Sequence, residues 1–432
     1  MDSLDHGKTG PPARRYAVKT HPNVMQPTKS TLPLRNILVF LALAGFILLF
    51  TVLIHSALNG NRIGADFYIF WRAARAYTSE HTNPYSAGVT AQIQQDIYRR
   101  AARPGEDHLA FAYPFYSLFG LLPTLWLAYD WAISFWYALT IIALLALLLA
   151  IFPNRGKLTA LTVFLLFPIA FGLVMGNFAI PVTLALLAFM GLVMLKGYRS
   201  QGVQVLSGIL LAWATLKPQF IWLLLGLILL YALQQRLKPF LIAFFGTEML
   251  FIALSFALLP GWLGDWIHNV QDYASYQQVS PVMVELLRFI LPAQAANWLG
   301  ITLLALLLAA CVYVVYRWWQ GQLHWLQAAA WLGMATFFIH PHGMSYEQLP
   351  ALIPMILWLA QKGSLRSKEA LIFWVGALVL SWVPVLAGRQ IPNFDRTPIL
   401  WTAIWVAWFV TRKPGESGLK DAAGLTPSFK AD

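Results

Sequence analysis

The sequence predicts an all-α, polytopic integral membrane protein. Three observations carry that expectation. Of 432 residues, 59% are hydrophobic and only 11% charged; a soluble domain carries about 25% charged residues, so most of this chain cannot face water. Apolar runs approaching the roughly 20 residues that cross a bilayer recur from Leu34 to Val410. Basic residues gather at the ends of those runs, where they set topology and meet anionic headgroups. The net charge of +12 therefore points to a membrane surface and not to nucleic acid. The single cysteine, Cys311, sits in an apolar run, which leaves no disulfide to form.

Residues 1–33 are polar, basic and Pro-rich and lack the apolar core of a signal peptide; they read as a disordered cytoplasmic tail, as do residues 412–432 at the other end. Residues 34–411 form the membrane domain, with a first span at 34–56. The stretch 57–110 then mixes Asp66, Arg72, Arg75, Glu80, Asp96, Arg99, Arg100, Arg103, Glu106 and Asp107 with aromatic residues, a pattern suited to helices lying along the membrane surface. Apolar runs follow at 111–128, 131–152, 158–175, 178–195, 203–216, 219–233, 240–259, 298–316, 325–339, 349–360, 370–386 and 398–410. The connections at 154–157, 196–199, 235–238, Arg317, 362–368 and 412–413 are basic, which puts them in the cytoplasm with both termini. The opposite, extracytoplasmic face collects the loop around Asp66, then 176–177, 217–218, 261–281, 340–347 and 388–396. Counting forward places 154–157 outside if both 111–128 and 131–152 cross, and counting back from the C-terminus places it inside. A half-spanning segment around Tyr113, Pro114 and Pro123 reconciles the two counts. That gives about twelve crossings; eleven or thirteen also fit. No internal repeat is visible, so the inverted-repeat signature of many transporters is missing.

The outer-face connections hold the candidate chemistry. Asp66 begins a run of aromatics just past the first span, so its carboxylate is partly desolvated and a stronger base, suited to deprotonating a sugar hydroxyl; capping the following helix is the alternative use. Arg72 and Arg75 share a face at i, i+3 and could clamp a phosphodiester or snorkel to headgroups. Lys217-Pro218 interrupts the apolar stretch 203–233. Proline cannot continue the helix, and a lysine at that depth needs an interface or an anion, so two short spans meeting there would bring Lys217 to a lipid phosphate. Gly176-Asn177 is a second corner: the glycine permits close backbone approach, and Asn177 could bond a sugar hydroxyl or simply sit in a turn. His340, His342, Tyr346 and Glu347 fall in a third connection. The His-x-His pair has metal-ligand character, but no further cluster accompanies it and no metal is expected. Glu347 is an ionisable group at a span boundary, a substrate contact or a partner for Lys217, Arg389 or Arg396. Asp265, His268, Asp272 and Tyr273 either border an acceptor site or are solvated. No phosphate loop, dinucleotide fingerprint or nucleophile elbow is present, and no cytoplasmic nucleotide-sugar domain, so a transferred sugar would come from a membrane carrier and no cofactor is called for.

Taken in order, Asp66-Phe67-Tyr68 with Ala73-Ala74-Arg75, Asn83-Pro84-Tyr85, Phe111-Ala112-Tyr113-Pro114-Phe115, Gly176-Asn177, and Gly208 with Leu216-Lys217-Pro218 resemble glycosyltransferase family 87, the polyprenol-phosphate-mannose-dependent mannosyltransferases of the GT-C superfamily, over roughly residues 35–360. The resemblance implies a GT-C bundle, a catalytic aspartate in the first extracytoplasmic loop that maps to Asp66, a polyprenyl-phosphate mannose donor, a glycolipid or other lipid-linked acceptor, and inversion at the anomeric carbon. It implies a multi-pass protein of the bacterial plasma membrane. The chain departs from the family's Tyr-Pro-Pro at Phe115, from its Gly-Gln at Asn177, and from its Ser-Trp-Asp-His at Tyr346, Glu347 and Gln348. The expectation is a membrane glycosyltransferase with Asp66 as general base and Arg72, Arg75, Tyr113, Asn177, Lys217, His340, His342, Tyr346 and Glu347 binding substrate; the alternative is a transporter or lipid flippase.

Overall fold

Helices provide the regular structure throughout the described residues, with no β-strand among them; one isolated antiparallel bridge joins Pro281 to Pro341. The structure, a computed structural model, describes residues 34–60, 63–152, 156–197, 200–276, 280–341, 343–361, 368–388 and 396–411. The predicted tails at 1–33 and 412–432, and His342 and Arg389, lie outside the described residues. The chain divides into two compact units, Met1–Gly45 and Phe46–Asp432. What is described of the first is the opening half of helix α1 (Leu34–Leu58), whose Ile37, Leu38, Val39, Phe40 and Leu41 are all exposed. A helix apolar on every side belongs in lipid.

In the second unit α2 (Ala65–Glu80) and α3 (Ala87–Tyr98) occupy the stretch predicted to be amphipathic. Phe67, Phe70, Trp71 and Ala74 fall at helical spacing and form the buried stripe of α2. Ser86 starts α3, its hydroxyl accepting from the Val89 amide at 3.4 Å. The run at 111–128 is not a span. Pro114 and Pro123 confine it to a 3₁₀ helix over Phe115–Thr124, since each proline removes a helical donor. Next come α4 (Tyr129–Ile151), α5 (Lys157–Thr162) and α6 (Phe167–Met175). The predicted single run 158–175 is broken: its two halves meet at 61°, with Pro168 opening the second half where its missing amide costs nothing. Then follow α7 (Ala179–Lys196), α8 (Gln201–Ala214), α9 (Trp222–Gln234), α10 (Lys238–Leu258), α11 (Trp262–Tyr276), α12 (Val282–Leu287), α13 (Ala293–Trp319), α14 (Trp325–Ile339), α15 (Leu349–Gln361), α16 (Lys368–Ala387) and α17 (Ile399–Thr411).

Five of these helices are long and apolar enough to cross a bilayer, six if the bent pair is one span. Most of the remaining apolar helices have 10–17 residues, so helix length alone does not reach twelve crossings. The short α8 and α9 bracket the Lys217-Pro218 corner. Gly208 lets α8 lie directly on α10: a Cβ there would fall 2.9 Å from the Phe244 amide nitrogen and 3.0 Å from the Ala243 Cβ. Thr215, at the end of α8, reaches Glu248 of α10 at 2.6 Å. Both contacts step forward along both helices, so α8 and α10 run parallel, and α8 stops beside the middle of α10. The corner is thus recessed by about ten residues, or about 15 Å of helical rise, from the end of α10.

A polar layer covers this recess. The Tyr77 hydroxyl donates to the Leu258 carbonyl at 2.6 Å, Asn83 Nδ2 to Asp265 at 2.7 Å, and Trp266 Nε1 to the Ala112 carbonyl at 3.2 Å. Asn269 Nδ2 reaches the Phe111 and Tyr85 carbonyls. These bonds knit α2 to the end of α10, and the Asn83-Pro84-Tyr85 turn and the segment before Phe115 to α11. Gly208→Val forces β-carbon and methyls into the α10 backbone, and overpacking of this kind costs about 1–3 kcal/mol. The expected result is a lower unfolding temperature in detergent; an unchanged temperature would show that α8 and α10 separate freely.

Candidate active site

Each segment that meets at the recess is turned toward it by a local device. Gly64 takes a left-handed conformation (φ +81°) and ends the connection into α2; glycine is the residue that does so without strain. The Tyr129 hydroxyl of α4 lies 2.6 Å from the Ile63 carbonyl oxygen and 3.1 Å from that of Gly64, fixing the start of α2. Asp66 therefore stands in the first turn of α2. It does not cap the helix, which has no side-chain cap. Its Oδ2 accepts instead from Asn177 Nδ2 at 2.7 Å and from the Tyr346 hydroxyl at 3.1 Å.

Asn177 is held as tightly. Gly176 closes α6 in a left-handed conformation (φ +63°), and a Cβ there would meet the Phe67 Cβ at 2.7 Å. The end of α6 thus rests on the first turn of α2. Asn177 Oδ1 accepts from the Ala179 amide at 2.7 Å and from Lys217 Nζ at 3.4 Å. Lys217 is 1% exposed. Its Nζ lies 2.6 Å from Glu347 Oε1 and 5.0 Å from the centre of the Tyr346 ring, with Tyr113 and Phe220 at about the same remove as each other, 6.0 and 5.9 Å. His340 Nδ1 stands 3.3 Å from the other oxygen of Glu347. Phe171 stacks on Tyr346 at 5.7 Å. Tyr113 is placed by the Asn83-Pro84-Tyr85 turn: Asn83 Oδ1 accepts from the Tyr85 amide, and the Tyr85 hydroxyl donates to the Tyr113 carbonyl at 2.8 Å.

The structure so brings together Asp66, Tyr113, Asn177, Lys217, His340, Tyr346 and Glu347. It does not bring in the two arginines of α2. Arg72 pairs with Glu80 at 2.8 Å and with Gln92, and Arg75 lies over Trp71 at 5.3 Å. At 100° per residue Arg75 falls on the side of α2 opposite Asp66. Asp265 is taken by Asn83, and His268 pairs with Asp272 on an exposed face.

Burial raises the Asp66 carboxyl above the ordinary 3.8, against the Asn177 hydrogen bond, the Lys217 charge and the Tyr346 hydrogen bond; the Asp107 charge adds to the rise. Glu347 moves the other way. Burial works to raise it, but His340 and Lys217 together hold it below the usual carboxylate range. The two nearby carboxyls are thus pushed in opposite directions, Asp66 toward its protonated form and Glu347 toward its charged one. Burial, with the charges of Glu347, Asp66 and Asp107, keeps the Tyr113 hydroxyl protonated. His340 Nε2 and the Gln348 amide are buried without hydrogen-bond geometry to any described residue.

Several contributors were not singled out in the sequence. Tyr129, and Tyr137 whose hydroxyl donates to the Val174 carbonyl at 2.7 Å, are eight apart on apolar α4; two phenols on one helical stripe were the available signal. Asp107, whose Oδ1 accepts from the Leu109 amide at 2.8 Å, was one charge among the many of the stretch 57–110.

The family model described as glycosyltransferase family 87 matches residues 111–341, more than half of the chain. The matched stretch holds Tyr113, Asn177, Lys217 and His340; Asp66 precedes it. No curated protein and no solved structure matches the chain.

Lys217→Met strands the Glu347 carboxylate, and breaking a buried pair costs about 3–5 kcal/mol. Adding Glu347→Leu should recover most of that loss. Thermal unfolding of the two variants in detergent checks this; additive losses would mean the two side chains are not coupled.

Proposed function

This chain belongs to glycosyltransferase family 87 and is a membrane glycosyltransferase, and from that premise we propose that it moves a sugar, mannose by the family likeness, from a polyprenyl-phosphate carrier to a hydroxyl of a glycolipid or other lipid-linked acceptor. The observation that carries this reading is the chain of contacts Asp66–Asn177–Lys217–Glu347, which sets a carboxyl and a buried ammonium around one amide side chain. Asp66 takes the acceptor proton as the acceptor oxygen attacks the anomeric carbon. The bond from that carbon to the phosphate oxygen breaks on the opposite face, its electron pair leaves with the phosphate, and configuration inverts. A base with a raised pKa is the better proton acceptor at neutral pH.

The anionic leaving group needs positive charge, and Lys217 is the cation within the contact chain. In the structure it is neutralised by Glu347, with His340 beyond. The phosphate then shares Lys217 with Glu347, so that the electrostatic stabilisation is built before the bond breaks. Tyr113 and Tyr346 wall the recess with rings and hydroxyls suited to sugar faces. Arg72 and Arg75, engaged elsewhere, are left to order α2 and α3 at the membrane surface.

The loops that meet here are those whose outer-face placement follows from the basic connections opposite, which supports an extracytoplasmic site in a plasma membrane. About twelve crossings remain the reading of the whole bundle, with the short helices crossing in protein-lined surroundings where bent and broken backbone is tolerated. α2 and α3 are its interfacial helices.

Asp66→Asn should abolish transfer from a polyprenyl phosphosugar while unfolding temperature stays near wild type; products are read by mass spectrometry. Near-normal turnover would remove Asp66 from the mechanism. Because the base works unprotonated and its pKa lies above 3.8, the rate should fall on acidification at a higher pH than an ordinary aspartate gives. An acid limb at or below that value contradicts the assignment.

A further inference from the structure

Glu248 lies in the middle of α10, whose Ile242, Phe245, Met249 and Leu250 are exposed on the lipid-facing side. The proposed mechanism makes no use of it. A carboxyl at such a position is expensive unless neutral or paired, and none of the described cations pairs with it among the ion pairs of the protein. Its Oε1 lies 2.6 Å from Thr215 Oγ1. The same Oγ1 is 2.7 Å from the Ala212 carbonyl oxygen. Two oxygen pairs this close each require a hydrogen between them. A threonine hydroxyl has one hydrogen and a carbonyl has none, so a full hydrogen bond at each contact needs a second hydrogen, which a protonated Glu248 supplies.

We infer that Glu248 is a neutral carboxylic acid in the membrane and a positioning residue for Lys217. The acid donates to Thr215 Oγ1, and Thr215 passes its own hydrogen to Ala212. Tyr116, the other titratable side chain at this junction, closes it from the third side: its hydroxyl lies 3.5 Å from the Thr215 carbonyl oxygen. Thr215 is the C-cap residue of α8 and stands two positions before Lys217, in the turn that aims the ammonium at Asn177 and Glu347. α8 ends beside the middle of α10 in a turn, the Thr215 and Leu216 amides donating to the Ala212 and Trp213 carbonyls, and Glu248 and Tyr116 tie that end to α10 and to the segment after Pro114. The positioning role rests on the proposed part of Lys217 in transfer; the protonation state does not.

Two measurements test the two parts separately. Hydrophobic carbodiimide, which attacks protonated carboxyls in apolar surroundings, should label purified wild-type protein in nanodiscs at Glu248 at neutral pH, read by peptide mass spectrometry. Absence of label at Glu248 while that peptide is recovered overturns the neutral acid. Glu248→Gln keeps a donor for Thr215 and should retain kcat and donor KM within about twofold. Glu248→Ala should lower kcat by about a hundredfold, the scale of a misplaced contact near the chemistry, with acceptor KM unchanged. Should the alanine variant fold poorly, Thr215→Val against Thr215→Ser makes the same comparison, with the serine variant active and the valine variant not. Equal rates for the glutamine and alanine variants, or for the serine and valine variants, overturn the positioning role. A wild-type protein that labels at Glu248 but transfers no sugar would count against the function proposed above and leave the acid in place.

Discussion

A buried ion pair organises this molecule. Lys217 and Glu347 are 130 residues apart in the chain, both nearly inaccessible, and in contact at 2.6 Å. Moving either charge into the interior costs several kcal/mol, and that cost is met only where the partner and further hydrogen bonds are in place. Asn177 and His340 supply the next contacts on either side. The requirement fixes three chain segments at one point: the corner after α8, the corner after α6, and the turn between α14 and α15. Asp66 joins them through Asn177 and Tyr346.

The architecture around that point is irregular where it must be and regular elsewhere. Backbone that leaves a helix in a bilayer has to find partners within protein. Here Pro114 and Pro218 interrupt helices next to the recess, each opening a local 3₁₀ turn, and nearby carbonyls are taken by side chains such as Tyr85, Tyr129 and Tyr137. Left-handed glycines at Gly64 and Gly176 let two of the segments touch without side chains between them. The long helices α1, α4, α10 and α13 carry no such interruptions and present apolar surface to lipid.

The opposing displacement of the two site carboxyls follows from the same geometry. Glu347 lies between Lys217 and His340, so its charge is compensated. Asp66 has amide and hydroxyl donors and only an indirect view of Lys217, so desolvation prevails. The two carboxyls therefore differ in kind: one is the readier to hold a proton, while the other stays charged beside its cation.

Hydropathy and charge by themselves settled that this is an α-helical membrane protein, because bilayer crossing is a local demand met by each run of side chains alone. The costliness of Lys217 in an apolar stretch, of Asp66 among aromatics and of Glu347 at a span boundary was legible for the same reason: each residue is anomalous where it stands. The partners were not legible. Asp66 meets Asn177 and Tyr346 across 111 and 280 residues, and no periodicity encodes which of many polar groups will converge. Arg72 and Arg75 looked as suitable for a phosphate as Lys217 until packing gave Arg72 to Glu80 and Gln92 and laid Arg75 on Trp71. The break within 158–175 and the 3₁₀ segment after Pro114 were likewise decided by tertiary structure, since proline marks where a helix can stop while only the neighbouring helices determine which way the chain turns next.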